Sequence, residues 1–208
     1  MKEGDILIKN IIFDLSEVII SGYHGIETLM EERYQIKANE FNKRKEDTLD
    51  LFLKLMRGNG TEDEYLRELI KETNWNVNTE EVKEAIRDNL NIPVEGTMDI
   101  IKKLEGKYKL ILLSDHVKEW VDYILENNKE LSIFDKIFFS YKSGRLKQDS
   151  DTFKNILKEL ELNANETILI DDYQENIDSA KRQGIDGILF INAQQLEHDL
   201  SSKYNILI

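Results

Sequence analysis

Three short apolar runs in this chain end on residues that can do chemistry. Ile11-Ile12-Phe13 ends at Asp14, Leu110-Ile111-Leu112-Leu113 at Ser114-Asp115, and Ile168-Leu169-Ile170 at Asp171-Asp172. A fourth run, Ile137-Phe138-Phe139, is followed by a loop that carries Lys147. Taken singly, most of these have ordinary explanations. Aspartate and serine often close strands as turn or cap residues, and loop lysines usually face water. Asp171-Asp172 is more telling, because adjacent carboxylates at a buried strand end repel one another and favour a cation. Taken together, the four features are of the types that phosphoryl chemistry uses. Asp14 can attack phosphorus as a carboxylate nucleophile and form an aspartyl phosphate. Asp14 and Asp172 offer hard oxygen ligands that suit Mg2+. The Ser114 hydroxyl and the Lys147 ammonium can hold the phosphoryl oxygens.

The elements that must position these residues follow from the apolar pattern. The four runs, and a fifth at Ile188-Leu189-Phe190-Ile191, are unbroken rather than alternating, which suits strands buried on both faces of a parallel sheet. Between them lie stretches with helical spacing. Met98, Ile101 and Leu104 precede Gly106 as a stop; Phe153, Ile156, Leu157 and Leu160 follow Ser150 or Asp151 as N-cap; Ile177 and Ala180 precede Gly184. Strands alternating with helices of this length predict an α/β fold, a Rossmann-like doubly wound parallel sheet. In such a sheet ligands sit outside the carboxyl ends of the strands, which is where Asp14, Ser114, Lys147 and Asp171-Asp172 fall.

Residues 20–92 contain no comparable strand run and read as four helices. Thr61 with Glu64 and Asn78 with Glu81 have the spacing of capping boxes. Leu51, Phe52, Leu55 and Met56 form one apolar stripe, and Leu66, Leu69 and Ile70 another. The single proline, Pro93, marks the point where the pattern changes back. The chain therefore divides into a catalytic core of residues 1–19 and 93–208 and an inserted helical cap of residues 20–92.

Composition narrows the function further. Of 208 residues, 28 are Lys or Arg and 41 Asp or Glu, for a net charge of −13, which argues against a nucleic-acid partner. There is no cysteine, hence no disulfide framework, thiolate metal cage or cysteine nucleophile. No apolar run has the length of a membrane span, so no membrane partner is expected. Met1–Asp5 lacks the start of a secretory signal, and a cytoplasmic protein is the expectation. The histidines, His24, His116 and His198, are too scattered for a zinc site. His116, two residues past Ser114, is a candidate substrate contact. Tyr23 and His24, where the chain leaves the first strand for the cap, are candidates for specificity, and Trp75 and Trp120 for packing.

These residues carry a resemblance. Ile11-Ile12-Phe13-Asp14-Leu15-Ser16-Glu17-Val18-Ile19, then Leu112-Leu113-Ser114-Asp115, then Ser143-Gly144-Arg145-Leu146-Lys147-Gln148-Asp149 with Thr152-Phe153, and finally Ile168-Leu169-Ile170-Asp171-Asp172 through Glu175-Asn176, Ala180 and Gly184 resemble, in order, the four motifs of the haloacid dehalogenase (HAD) superfamily. The insertion after the first motif resembles its helical cap. The resemblance implies a Mg2+-dependent phosphatase acting on a small phosphorylated metabolite. Asp14 would be the nucleophile. Asp172 and the Ser16 carbonyl would complete the protein's share of the metal site. Ser114 and Lys147 would bind phosphate with help from the backbone of Asp115. Asp171 would be a second metal-side carboxylate or would orient Lys147.

Three departures from the family pattern stand out. The family's first motif commonly reads Asp-x-Asp, the second Asp serving as acid and base; here Ser16 stands in its place, and Glu17 or His24 are the candidate substitutes. A subgroup with Gly there, similar to glucose-1-phosphate phosphatase, also shares the Ser143-Gly144-x-x-Lys147 spacing, so a sugar phosphate is a possible substrate. Gln148 stands where the family commonly has proline, and Asp115 where asparagine is common. Two rival readings use the same fold: a non-catalytic module that binds a phosphorylated ligand or a protein, and a metal-free dehalogenase in which Asp14 attacks carbon.

Overall fold

The computed structural model describes residues 7–207, so the reading of Met1–Asp5 lies outside the described residues. Five strands form one sheet: β1 (Asn10–Phe13), β2 (Lys109–Ser114), β3 (Lys136–Phe139), β4 (Thr167–Asp171) and β5 (Asp186–Leu189). Their order is β3-β2-β1-β4-β5, and every pair is parallel. β1 lies at the centre, with Phe13 opposite both Leu112 and Ile170. The fifth strand starts earlier than its apolar run predicts. It ends at Leu189, and Ile191 lies beyond it, largely exposed.

Side chains alternate across the sheet, so each strand feeds two cores. Ile11, Phe13, Leu110, Leu112, Ile168 and Ile170 face one way, into a core that runs on through Tyr65, Leu66, Leu69 and Val82 of the cap. Ile12, Ile111, Leu113 and Leu169 face the other way, against Phe153 and Ile156 of α9 (Thr152–Glu159) and Ile177 and Ala180 of α10 (Gln174–Lys181). Burial on both faces is why these strands read as unbroken apolar runs. The remaining core helices are α6 (Thr97–Leu104), α7 (Lys118–Asn127), the single turn α8 (Ser140–Ser143) and α11 (Ala193–Tyr204). Asp151 holds the N-cap position of α9 without a side-chain cap bond.

Within residues 20–92 the chain forms five helices rather than the four expected: α1 (Ile26–Tyr34), α2 (Ala38–Asp47), α3 (Leu49–Met56), α4 (Glu62–Ile70) and α5 (Thr79–Leu90). The break at Thr48 divides α2 from α3. Its hydroxyl donates to the Arg44 carbonyl at 2.7 Å, and its backbone leaves the helical region. Side-chain hydrogen bonding of this kind competes with the helix and bends it. Both capping boxes form, Thr61 with Glu64 and Asn78 with Glu81. The chain leaves and rejoins the core side by side: Ser21 N donates to Ile92 O (2.8 Å) and Val94 N to Ile19 O (2.9 Å), around a bridge between Ile20 and Pro93. Among the described residues no helix is long and apolar enough to cross a membrane.

Candidate active site

The first turn of chain beyond β1, β2 and β4 brings the strand-end residues together. Asp14 is buried, and its amide continues the β1 ladder by donating to Ile170 O at 2.9 Å. One carboxylate oxygen, Oδ1, accepts the Leu15 amide at 2.7 Å and lies 2.7 Å from Lys147 Nζ. The same ammonium donates to Asp171 Oδ2 at 2.6 Å. The other oxygen of Asp171 accepts the Tyr173 amide (3.0 Å) and Asn176 Nδ2 (2.9 Å), so both its oxygens are engaged.

This is a dense and buried charge cluster. Burial pushes the Asp14 carboxyl well up; Lys147 pulls it back, and Asp171 adds to the rise. Burial opposes the charge on Lys147, but Asp14, Asp171 and Asp115 outweigh it and hold the ammonium above its ordinary range. Asp172, half-buried, is raised by burial and then by Asp171 beside it. Oxygens of Asp14, Asp171 and Asp172 lie within 4.8 Å of one another. Three carboxylates this close carry more negative charge than one ammonium balances. Their donor atoms are the hard oxygens Mg2+ prefers, so the residues fit that ion.

Ser114 ends β2 fully buried, and among the described residues its hydroxyl has no hydrogen-bond partner, an arrangement that costs stability unless a ligand supplies one. Asp115 accepts the Lys147 amide on both carboxylate oxygens, at 3.2 and 3.0 Å. Burial pushes its carboxyl up to about 6, against the pull of Lys147. This carboxylate therefore ties down the lysine's loop. Ser179 Oγ donates to the Lys147 carbonyl at 2.9 Å from the other side.

A cavity of about 370 Å³ opens over Asp14, Ser16, Asp115, Lys147 and Asp172, with Leu49, Phe52 and Met56 of α3 facing it from the cap. Glu17 and His24 also line it; Glu17 Oε1 is taken by the Gly22 amide at 2.7 Å. A larger space of about 490 Å³ between β3 and α9 holds none of these residues. His116 sits behind Ser16, with Nε2 3.5 Å from the Ser16 hydroxyl and its ring edge-on to Trp120. Burial pushes this imidazole down to about 3, so it is neutral at ordinary pH. Tyr23 joins Phe52, Tyr65 and Trp120 in an aromatic cluster, its hydroxyl 3.0 Å from that of Tyr65. Trp75 packs on Phe41. Of the residues that hold Asp171 and Lys147, Asn176 was named in the fourth motif without a role and Ser179 was not singled out from the sequence. Their signal is position alone, on the first two turns of the helix after Asp171-Asp172.

The chain belongs to the haloacid dehalogenase-like hydrolases, whose family pattern matches residues 11–190. It is 25% identical over 186 residues to a D-ribitol-5-phosphate phosphatase of Bacteroides thetaiotaomicron, covering 86% of this chain and 90% of that protein. Its fold is shared with a HAD family enzyme of Bacteroides thetaiotaomicron solved with magnesium and inorganic phosphate (TM-score 0.72, 24% identity, 92% of this chain and 98% of that one). A HAD-like family hydrolase of Porphyromonas gingivalis is similar as well (TM-score 0.74, 24% identity, 96% and 99%).

Proposed function

We propose that the protein is a Mg2+-dependent phosphatase of small phosphorylated metabolites that works through an aspartyl phosphate on Asp14. The observation that carries this reading is the meeting of three carboxylates around one buried lysine at the carboxyl edge of the sheet. Asp14 Oδ1 is engaged by Lys147 and the Leu15 amide, which leaves Oδ2 to attack phosphorus in line with the departing ester oxygen. Lys147 and the unpartnered Ser114 hydroxyl hold the phosphoryl oxygens. Asp14, Asp172 and the Ser16 carbonyl would hold Mg2+, which when bound neutralises the approach of one anion to another. Asp171, with both oxygens committed, orients Lys147. The cluster also argues against a metal-free attack on carbon, which has no use for a third carboxylate.

The substrate is the finer part of the reading. A sugar or polyol phosphate is supported by the ribitol-5-phosphate relative and by the size of the cavity, which suits one phosphate and a short carbon skeleton. Residues 20–92 act as a cap that covers this space, joined to the core at the paired crossings near Ile20 and Pro93. A cytoplasmic setting is consistent with this reading. The test is turnover of para-nitrophenyl phosphate and a panel of sugar and polyol phosphates, with and without Mg2+. Wild-type protein is expected to release phosphate only with the metal, and Asp14→Asn to be inactive. A clean preparation with no turnover on any ester, or an Asp14→Asn variant as fast as wild type, rules the proposal out.

A further inference from the structure

We propose that Arg57, contributed by the cap, is a positioning residue for Lys147. The inference rests on the phosphatase reading for its consequence but on geometry for its content. Lys147 and Gln148 are the two central residues of a tight turn. Asp149 closes that turn twice: its amide donates to the Leu146 carbonyl at 3.0 Å, and its Oδ2 accepts the Leu146 amide at 2.9 Å. Neither central residue is proline, so nothing in the covalent chain fixes the backbone there. The turn depends on where the Asp149 carboxylate is held.

Arg57 holds it. Its guanidinium grips both Asp149 oxygens, Nη2 donating to Oδ1 at 2.8 Å and Nη1 to Oδ2, while Nη1 also donates to the Gly144 carbonyl at 3.0 Å. A planar fork on two carboxylate oxygens fixes direction as well as distance, which one ammonium does not. Arg57 stands just beyond α3, whose Met56 and Phe52 face the cavity. The neighbouring contacts bring the same two segments together: Ser140 Oγ donates to Met56 O at 2.6 Å, and Gly58 lies against the Tyr141 carbonyl. The phosphate-binding lysine is thus held by core groups on one side, Asp115 and Ser179, and by a cap arginine on the other. A cap lifted from the core releases that grip, so the charge that receives phosphate is fully placed only beneath a seated cap.

Arg57 and Asp149 are each about a third exposed, at 33% and 30%, so the pair adds little to global stability and its local effect can be read separately. Four variants test it: Arg57→Ala, Arg57→Lys, Asp149→Ala and the double alanine. Hydrogen exchange of the Leu146–Asp149 amides is expected to quicken in Arg57→Ala with the melting temperature nearly unchanged. Inorganic phosphate, titrated calorimetrically with Mg2+ present, should bind about 10-fold more weakly, and kcat/KM on para-nitrophenyl phosphate should fall by about the same factor. Arg57→Lys should recover part of both, and the double variant should be no worse than either single one. Unchanged exchange and phosphate affinity in Arg57→Ala overturn the proposal, as do losses that simply add in the double variant. If wild-type protein hydrolyses no ester, the phosphatase reading fails, and the exchange measurement still decides the role of Arg57.

Discussion

In the proposed mechanism Ser16 stands where an acid would serve the leaving group, and the group behind it is a neutral imidazole. His116 is buried and pushed down to about 3, so at ordinary pH it holds no proton to give as an imidazolium. Under the proposed mechanism slow turnover is expected, and Ser16→Asp should speed it by about 10-fold or more, since acid–base help is worth roughly 10²–10⁴-fold. Steady-state kcat with and without the substitution checks this, and no gain would remove Ser16 from the role. Asp115 gives a pH signature. Its folded carboxyl lies near 6 against 3.8 for the free group, so its contribution to stability is full below about 3.8 and is lost as pH rises through about 6. Asp115→Asn should therefore lose this dependence, so that its stability relative to wild type rises as pH is taken from 4 through 6 in urea melts. Asp14, Ser114 and Asp171-Asp172 were legible in the sequence because apolar strands end on them. Arg57 was not, because its partner lies ninety-two positions away and no local pattern links a helix end in the cap to a turn in the core.

Among the elements, α3 and α4 carry the joint between cap and core. Gly58 has φ +79°, and a Cβ there would stand 2.4 Å from the Tyr141 carbonyl, a backbone atom that cannot step aside. Gly58→Ala is expected to cost about 2 kcal/mol or more, from strain at positive φ plus the clash, and to raise KM as the cap loses its fit. At α4, the buried Glu62 accepts two bonds from Arg87 of α5 (2.7 and 2.6 Å) and one from the Trp120 indole of α7 (2.5 Å), joining two cap helices to a core helix. Glu62→Ala leaves that indole N–H without a partner and should destabilise by about 2–3 kcal/mol; Arg87 is partly exposed and regains water, which keeps the loss below that of a fully buried pair. Chemical denaturation measures both. The start of α4 was readable from Thr61 and Glu64, since a capping box is local chemistry. The fifth cap helix was not, because the break at Thr48 turns on one hydroxyl reaching back four residues, and the apolar spacing runs on without registering it.

For the whole molecule, the net charge of −13 and the site have different consequences. A strongly acidic surface attracts a divalent cation over some distance, and salt screens that attraction. Apparent Mg2+ affinity should therefore weaken as sodium chloride is raised, and chelation should abolish turnover while leaving the fold intact; titrations by calorimetry and circular dichroism read the two effects. The parallel α/β architecture was legible throughout, since strands buried on both faces advertise themselves as short apolar runs. Only the edge strand β5, with one exposed flank, was misplaced along the chain. The central place of β1 has a further consequence, for the order of events during synthesis. Residues Asn10–Phe13 leave the ribosome before the other strands, and both their neighbours, Lys109–Leu112 and Thr167–Ile170, follow much later. The helices of residues 20–92 make local contacts and can form at once, whereas the strand at the heart of the sheet must wait unpaired until Lys109–Leu112 has been made. This protein is therefore expected to fold its insertion before its frame, and to be most prone to aggregation through Ile11, Ile12 and Phe13 until the fourth strand has been made.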